Sequence, residues 1–136
     1  MNKKKILFVC VENSCRSQMA QGLANNFYKE AIDAYSAGSR PSGKINPDAI
    51  EVMKEIGIDI SKQGSKGFGD LPVKDFDYVI TLGCKDVCPF FPAKASREWT
   101  IPDPKGKDIE FFRKTRDRVK EEIEKLIEEI KHGKAF

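Results

Sequence analysis

Eight residues near the start of the chain, Cys10-Val11-Glu12-Asn13-Ser14-Cys15-Arg16-Ser17, combine a nucleophile with groups that hold an anion. Their pattern is C-x5-R-S. A thiolate is the reactive form of cysteine, and positive surroundings favour it. A short loop between a strand and a helix can turn its backbone N–H groups inward, making an anion nest above the helix N-terminus. Arg16 adds a planar fork that suits two oxygens of a tetrahedral oxyanion. Ser17 can donate a hydrogen bond to the thiolate. Cys10 is therefore the expected nucleophile, and residues 11–17 are the expected oxyanion cradle. The competing reading is a buried small cysteine followed by a surface arginine. A strand-like run before the loop and an amphipathic segment after it favour the nucleophile.

Three further groups have chemical potential. Cys84 and Cys88 are separated by Lys85, Asp86 and Val87; the charged pair between them argues for a surface loop over two core thiols. Asp103 stands between Pro102 and Pro104, as a turn residue or as a general acid. Cys15 reads as a small apolar thiol packed behind the loop. His132 reads as a helix-end or solvated residue. The cysteine spacings, C-x4-C and C-x3-C, lack the C-x2-C knuckle of structural zinc sites, so no metal is expected.

The elements that must position these groups alternate. Residues 6–9 are a wholly apolar run, as in a strand buried on both faces. Ser17 opens a helical pattern with Ala20, Leu23, Ala24 and Phe27, and is placed to cap it. Residues 32–37 form a second strand, closed by Gly38. Asn46-Pro47 starts a second helix that presents Ile50, Met53 and Ile56 and stops at Gly57. Residues 78–82 read as a third strand. Four of the seven prolines fall between residues 89 and 104, which predicts loop with a short strand at 99–101. Residues 108–132 keep a helical period, ended by Gly133.

This order predicts one α/β domain over residues 1–136. It is a three-layer α/β/α arrangement with a central four-stranded parallel sheet of flavodoxin-like, Rossmann-like topology. Ligands in such sheets bind beyond the carboxyl ends of the strands. That rule brings Cys10, Cys84 and Asp103 to one rim.

Composition narrows the function classes. The chain has 136 residues, 40% of them hydrophobic and 33% charged, which excludes a disordered polar tail. No apolar run is long enough for a membrane helix, and the N-terminus lacks a secretory h-region. The expected location is the cytoplasm, where four cysteines are redox, metal or core groups and not static disulfides. The net charge of +3 comes from interleaved signs without a basic stripe, so no nucleic-acid partner is expected. The expected state is a monomer.

The loop resembles that of the low-molecular-weight tyrosine phosphatases, and Asp103-Pro104 matches their general-acid Asp-Pro. The phosphatases carry aromatic residues straight after that pair, where this chain has Lys105-Gly106-Lys107. The segment from Thr81 to Pro89, with Cys84 and Cys88, resembles the redox segment of thioredoxin-coupled arsenate reductases, which share the phosphatase fold. Asn13, Ser14, Cys15, Arg16, Ser17, Trp99 and Asp103-Pro104 fit that family too, and the resemblance covers nearly the whole chain. It implies reduction of arsenate by a thiol relay from Cys10 to Cys84 to Cys88, with Arg16 holding the oxyanion and Asp103 as general acid. It also implies a thioredoxin-like reductant and no cofactor. The spacer between Cys84 and Cys88 is shorter than the family's. Family members bind potassium beside the loop with help from an acidic residue on the first helix; Gln21 stands there, so no metal is expected. A phosphatase with a protective cysteine pair, and a non-enzymatic oxyanion- or arsenite-binding module using soft thiol ligands, are the alternatives.

Overall fold

Residues 3–83 and 93–132 are described by the computed structural model. The chain runs β1 (Lys4–Val9), α1 (Arg16–Phe27), β2 (Ile32–Ala37), α2 (Pro47–Lys54), a 3-10 helix (Phe68–Asp70), β3 (Phe76–Thr81), β4 (Ala93–Glu98) and α3 (Ile109–Lys131). All four strands are parallel, in the order β2-β1-β3-β4. Central β1 has a neighbour on each side and cover on each face, which is why residues 6–9 are apolar without alternation. This is the α/β class with a four-stranded parallel sheet that the sequence predicts.

Side chains of β1 divide between the two faces. Ile6 and Phe8 join one cluster with Met19, Leu23 and Ala24 of α1, Val52 and Met53 of α2, and Phe112, Val119 and Ile123 of α3. Among the described residues all three α-helices therefore cover this face. Leu7 and Val9 point to the other face, where Ala37, Leu71 and Val79 meet them and Phe68 and Val73 pack alongside. The chain thus crosses the sheet after α2, and the segment around the 3-10 helix forms the opposite cover.

Local chemistry sets the helix ends. The Asn46 side chain accepts a bond from Asp48 N at 2.8 Å at the start of α2, with Pro47 at its first position. Asp108 Oδ1 accepts from Phe111 N at 3.0 Å at the start of α3. Gly22 lets α1 lie against the chain after α2, since a Cβ there would stand 2.5 Å from Ile60 Cγ2. Arg116 ties α3 to α2 through Val52 O (2.8 Å) and Glu55 (2.9 Å).

Three local readings are corrected. The last strand is Ala93–Glu98, upstream of 99–101. It is an edge strand of alternating half-buried and exposed residues, so it carries no apolar run to announce it. Trp99 N still donates to Thr81 O at 2.8 Å, and its ring packs 5.9 Å from Phe8. The third strand begins at Phe76, which packs edge-on against Tyr35 at 5.6 Å on the face away from the helices. Ser17 does not cap α1: Cys15 holds the cap position with no side-chain bond, and Ser17 is buried within the first turn. Cys84, Cys88 and Gly133 lie outside the described residues. No described helix is long and apolar enough to cross a membrane.

Phe112 is the aromatic by which α3 enters the core, and it is 1% exposed. Phe112→Ala is expected to cost about 3–5 kcal/mol, read as a lower urea midpoint at unchanged m-value. A loss under about 1 kcal/mol would mean that α3 is not held through this side chain.

Candidate active site

The loop after β1 is held by its carbonyl groups. Cys10 N donates to Ala37 O at 3.3 Å, which fixes its entry beside the end of β2. Four consecutive carbonyls then point away from the loop's interior. Val11 O accepts from Arg40 N (2.8 Å), Glu12 O from Ser42 N (3.1 Å), and Ser14 O from Asn46 N (3.0 Å). Asn13 O accepts from Gln18 Nε2 at 3.0 Å. A trans peptide sets its N–H opposite its C=O. The N–H groups of Glu12, Asn13, Ser14 and Cys15 are thereby turned to the inner side, toward Cys10. Gly38 permits the close approach of β2: a Cβ there would lie 2.5–2.8 Å from Val11 O, Cys10 O and Asn13 N.

Asn13 is the hinge of the loop. Its φ of 51° is left-handed, which asparagine tolerates better than most residues. Its buried side chain makes three hydrogen bonds. Oδ1 accepts from Lys66 N (2.8 Å) and Gln18 Nε2 (2.9 Å), while Nδ2 donates to Ser17 Oγ at 2.8 Å. Ser17 Oγ also lies 2.8 Å from Cys10 Sγ, where its O–H can donate to a thiolate. Beside this network Lys66 Nζ donates to Gly64 O (2.9 Å) and lies 3.5 Å from Ser36 O, and burial lowers its pKa. Gln21 accepts from Ser36 Oγ at 2.5 Å. An ammonium group thus stands next to the loop.

Arg16 opens α1 and is only 6% exposed. Its Nη1 donates to Ile101 O at 2.9 Å, and its Nη2 stands 3.6 Å from Asp103 Oδ2. Its Nε is buried with no hydrogen-bond partner among the described residues, a donor that an oxyanion in the pocket would satisfy. Gly83, after β3, has φ +87°, and a Cβ there would collide with Arg16 Nη1 and lie 3.0 Å from Ile101 O. A side chain at that position would displace the guanidinium.

A pocket of about 190 Å³ results, lined by Cys10, Val11, Glu12, Ser14, Cys15, Arg16, Asp103 and Lys105. Cys10 is 3% exposed at its floor. The Asp103 carboxyl stands at its rim with 52% of its side chain exposed, and Oδ1 accepts from Lys105 N at 3.0 Å. Lys105 Nζ donates to both oxygens of Glu12, at 3.0 and 2.8 Å. Burial foremost, then the negative charges of Asp103 and Cys10, push the Cys15 thiol up to about 12. Cys15 thus stays protonated at neutral pH. The pocket can hold a tetrahedral oxyanion against a sulfur nucleophile, with a carboxyl group above it to carry a proton.

The structure therefore brings Cys10, residues 11–17 and Asp103 together; Cys84 and Cys88 lie outside the described residues. Sequence reasoning did not reach the Ile101 carbonyl, Gly83, Gln18, Lys66 or the Glu12–Lys105 pair. Gly83, directly before Cys84, was a visible signal. A backbone carbonyl has none.

A family described as low molecular weight phosphotyrosine protein phosphatase matches residues 5–135. The chain belongs to this phosphatase family. Within it, the chain is 44% identical to an arsenate reductase of Staphylococcus aureus over 130 residues, covering 93% of this chain and 98% of that one. A solved arsenate reductase in its phosphate-binding state superposes with TM-score 0.83 at 41% identity, over 93% and 98% of the two chains. A thioredoxin-dependent arsenate reductase of Corynebacterium glutamicum gives TM-score 0.69 at 32% identity, over 91% of this chain and 62% of that one.

The two described cysteines should separate by alkylation. Iodoacetamide at pH 6–7 is expected to label Cys10 and spare Cys15, whose thiol ionises only near pH 12. Phosphate, sulfate or arsenate should slow the Cys10 reaction. Labelling indifferent to all three anions would remove the anion nest, and equal labelling of Cys15 would contradict its raised pKa.

Proposed function

We propose that the protein reduces arsenate to arsenite and is re-reduced by a thioredoxin-like dithiol protein. The observation that carries this reading is one pocket holding Cys10 Sγ 2.8 Å from Ser17 Oγ, Arg16 with a buried Nε that has no partner among the described residues, and Asp103 at the rim. The 44% identity to an arsenate reductase supports the substrate. The thioredoxin-dependent relative supports the class of reductant.

In this mechanism the inward amides and Arg16 bind the oxyanion. The Cys10 thiolate attacks arsenic, forming a sulfur–arsenic bond, and one oxygen leaves as water with a proton from Asp103. Cys84 thiolate then attacks the Cys10 sulfur. A Cys10–Cys84 disulfide forms, and the electron pair of the broken sulfur–arsenic bond stays on arsenic, which departs as arsenite. Cys88 attacks the Cys84 sulfur, freeing Cys10 and moving the disulfide to Cys84–Cys88. The external dithiol takes over that disulfide by the same exchange.

A phosphatase reading shares Cys10, Arg16 and Asp103, and the family's description favours it as a second activity. The cysteines separate the two. Arsenate consumption with a thioredoxin system is measured beside p-nitrophenyl phosphate hydrolysis. Cys10→Ser is expected to abolish both. Cys84→Ser should form the arsenic adduct but release little arsenite without added thiol. Cys88→Ser should release about one arsenite per enzyme and stop with Cys10 joined to Cys84 in non-reducing peptide maps. Sustained thioredoxin-driven turnover by Cys88→Ser would leave a two-cysteine scheme with an external resolving thiol. Wild-type protein that hydrolyses the ester but consumes no arsenate would transfer the reading to phosphatase.

Asp103→Asn keeps the shape of the rim but removes the proton. Adduct formation is expected to slow by about 10²–10⁴-fold, with phosphate protection of Cys10 changed only a few-fold. A rate near wild type would return Asp103 to a turn residue.

A further inference from the structure

The mouth of the pocket is crossed by one ion pair. Glu12 belongs to the anion-binding loop and Lys105 to the segment that carries Asp103. Lys105 Nζ holds both Glu12 oxygens, at 2.8 and 3.0 Å. Each end starts from fixed backbone. Glu12 O is tied outward by Ser42 N at 3.1 Å and Ser65 Oγ at 2.8 Å, and Lys105 N is tied to Asp103 Oδ1 at 3.0 Å. Both side chains line the pocket and remain part-exposed, 38% for Glu12 and 57% for Lys105. The bond to Glu12 raises the Lys105 pKa, so Lys105 keeps its charge near neutral pH.

We propose that the Glu12–Lys105 pair is the specificity gate of this site, admitting a free tetrahedral oxyanion and turning away aryl phosphate esters. The proposal rests on the arsenate reading above and extends it to the choice between free oxyanion and ester. Two physical effects combine. A carboxylate on an anion-binding loop repels a dianion, and the Lys105 ammonium cancels that charge where it stands. The same pair bridges the loop wall and the Asp103 wall, so a substituent on an oxyanion oxygen meets it on that side of the pocket. The pocket of about 190 Å³ has room for a five-atom oxyanion, and an aromatic ring on one of its oxygens would compete for space with the bridging side chains.

The gate is read through Cys10 alkylation, which needs neither reductase nor phosphatase turnover. Inorganic phosphate and phenyl phosphate each protect Cys10, and the ratio of their half-protecting concentrations reports selectivity. In wild-type protein, inorganic phosphate should protect at lower concentration. Glu12→Gln with Lys105→Met, which removes the pair without stranding a charge, should narrow the ratio by about fivefold. The single variants should move phosphate protection in opposite directions: Lys105→Met weakens it and Glu12→Gln strengthens it. A loss of loop order would move both the same way. Lys105→Arg should keep the wild-type ratio. An unchanged ratio in a folded double variant, or single variants shifting in one direction, overturns the gate. Wild-type arsenate consumption is measured separately. A shifted ratio in a protein that reduces no arsenate supports the gate and removes the reductase reading. Arsenate reduction with an unshifted ratio does the reverse.

Discussion

Four peptide carbonyls determine whether this pocket exists. Val11, Glu12, Asn13 and Ser14 give their carbonyl oxygens to Arg40, Ser42, Gln18 and Asn46. Buried backbone acceptors need partners, and here every partner lies outside the loop. The N–H groups follow the peptide plane to the inner side, where their partial positive charge accumulates around Cys10. The donors arrive from β2's exit, from α1 and from the start of α2. The pocket is therefore a product of the whole first half of the fold.

A second layer of support acts on the charged groups. The Arg16 guanidinium is nearly buried, a costly position for a charge without partners. Ile101 O takes one terminal nitrogen and Asp103 faces the other. Both acceptors come from the segment after β4, whose position is fixed by Trp99 bonding to β3 and stacking toward Phe8. The Cys10 loop and Asp103 are thus tied through one arginine, and Gly83 keeps the space that this arginine occupies. Nε stays available for an oxyanion.

Charge in the pocket is balanced locally and not by the net +3 of the chain. Glu12 is paired with Lys105 at the mouth. Ser17 Oγ accepts from Asn13 Nδ2 and lies 2.8 Å from Cys10 Sγ. Cys15, five residues from Cys10, is removed from nucleophilic work by burial and by the Asp103 carboxylate.

The sequence by itself determined the α/β class and the nucleophile-plus-arginine loop. Both are written locally: apolar runs of strand length, helical periods, and C-x5-R-S between a strand and a helix. Asn46-Pro47 was equally legible, since a capping residue acts within three positions of itself. Strand β4 was not legible, because an edge strand with half-exposed residues has no apolar run and exists through its pairing with β3. Ser17 read both as a helix cap and as a partner of Cys10; the structure keeps the second role and drops the first, since its hydroxyl is engaged with Cys10 and Asn13. The Ile101 carbonyl and the Lys105 ammonium meet Arg16 and Glu12 across 85 and 93 residues of chain. Side-chain identity and near-neighbour spacing carry no information at that range; the crossing of the sheet decides which distant backbone and which distant charge arrive at the pocket.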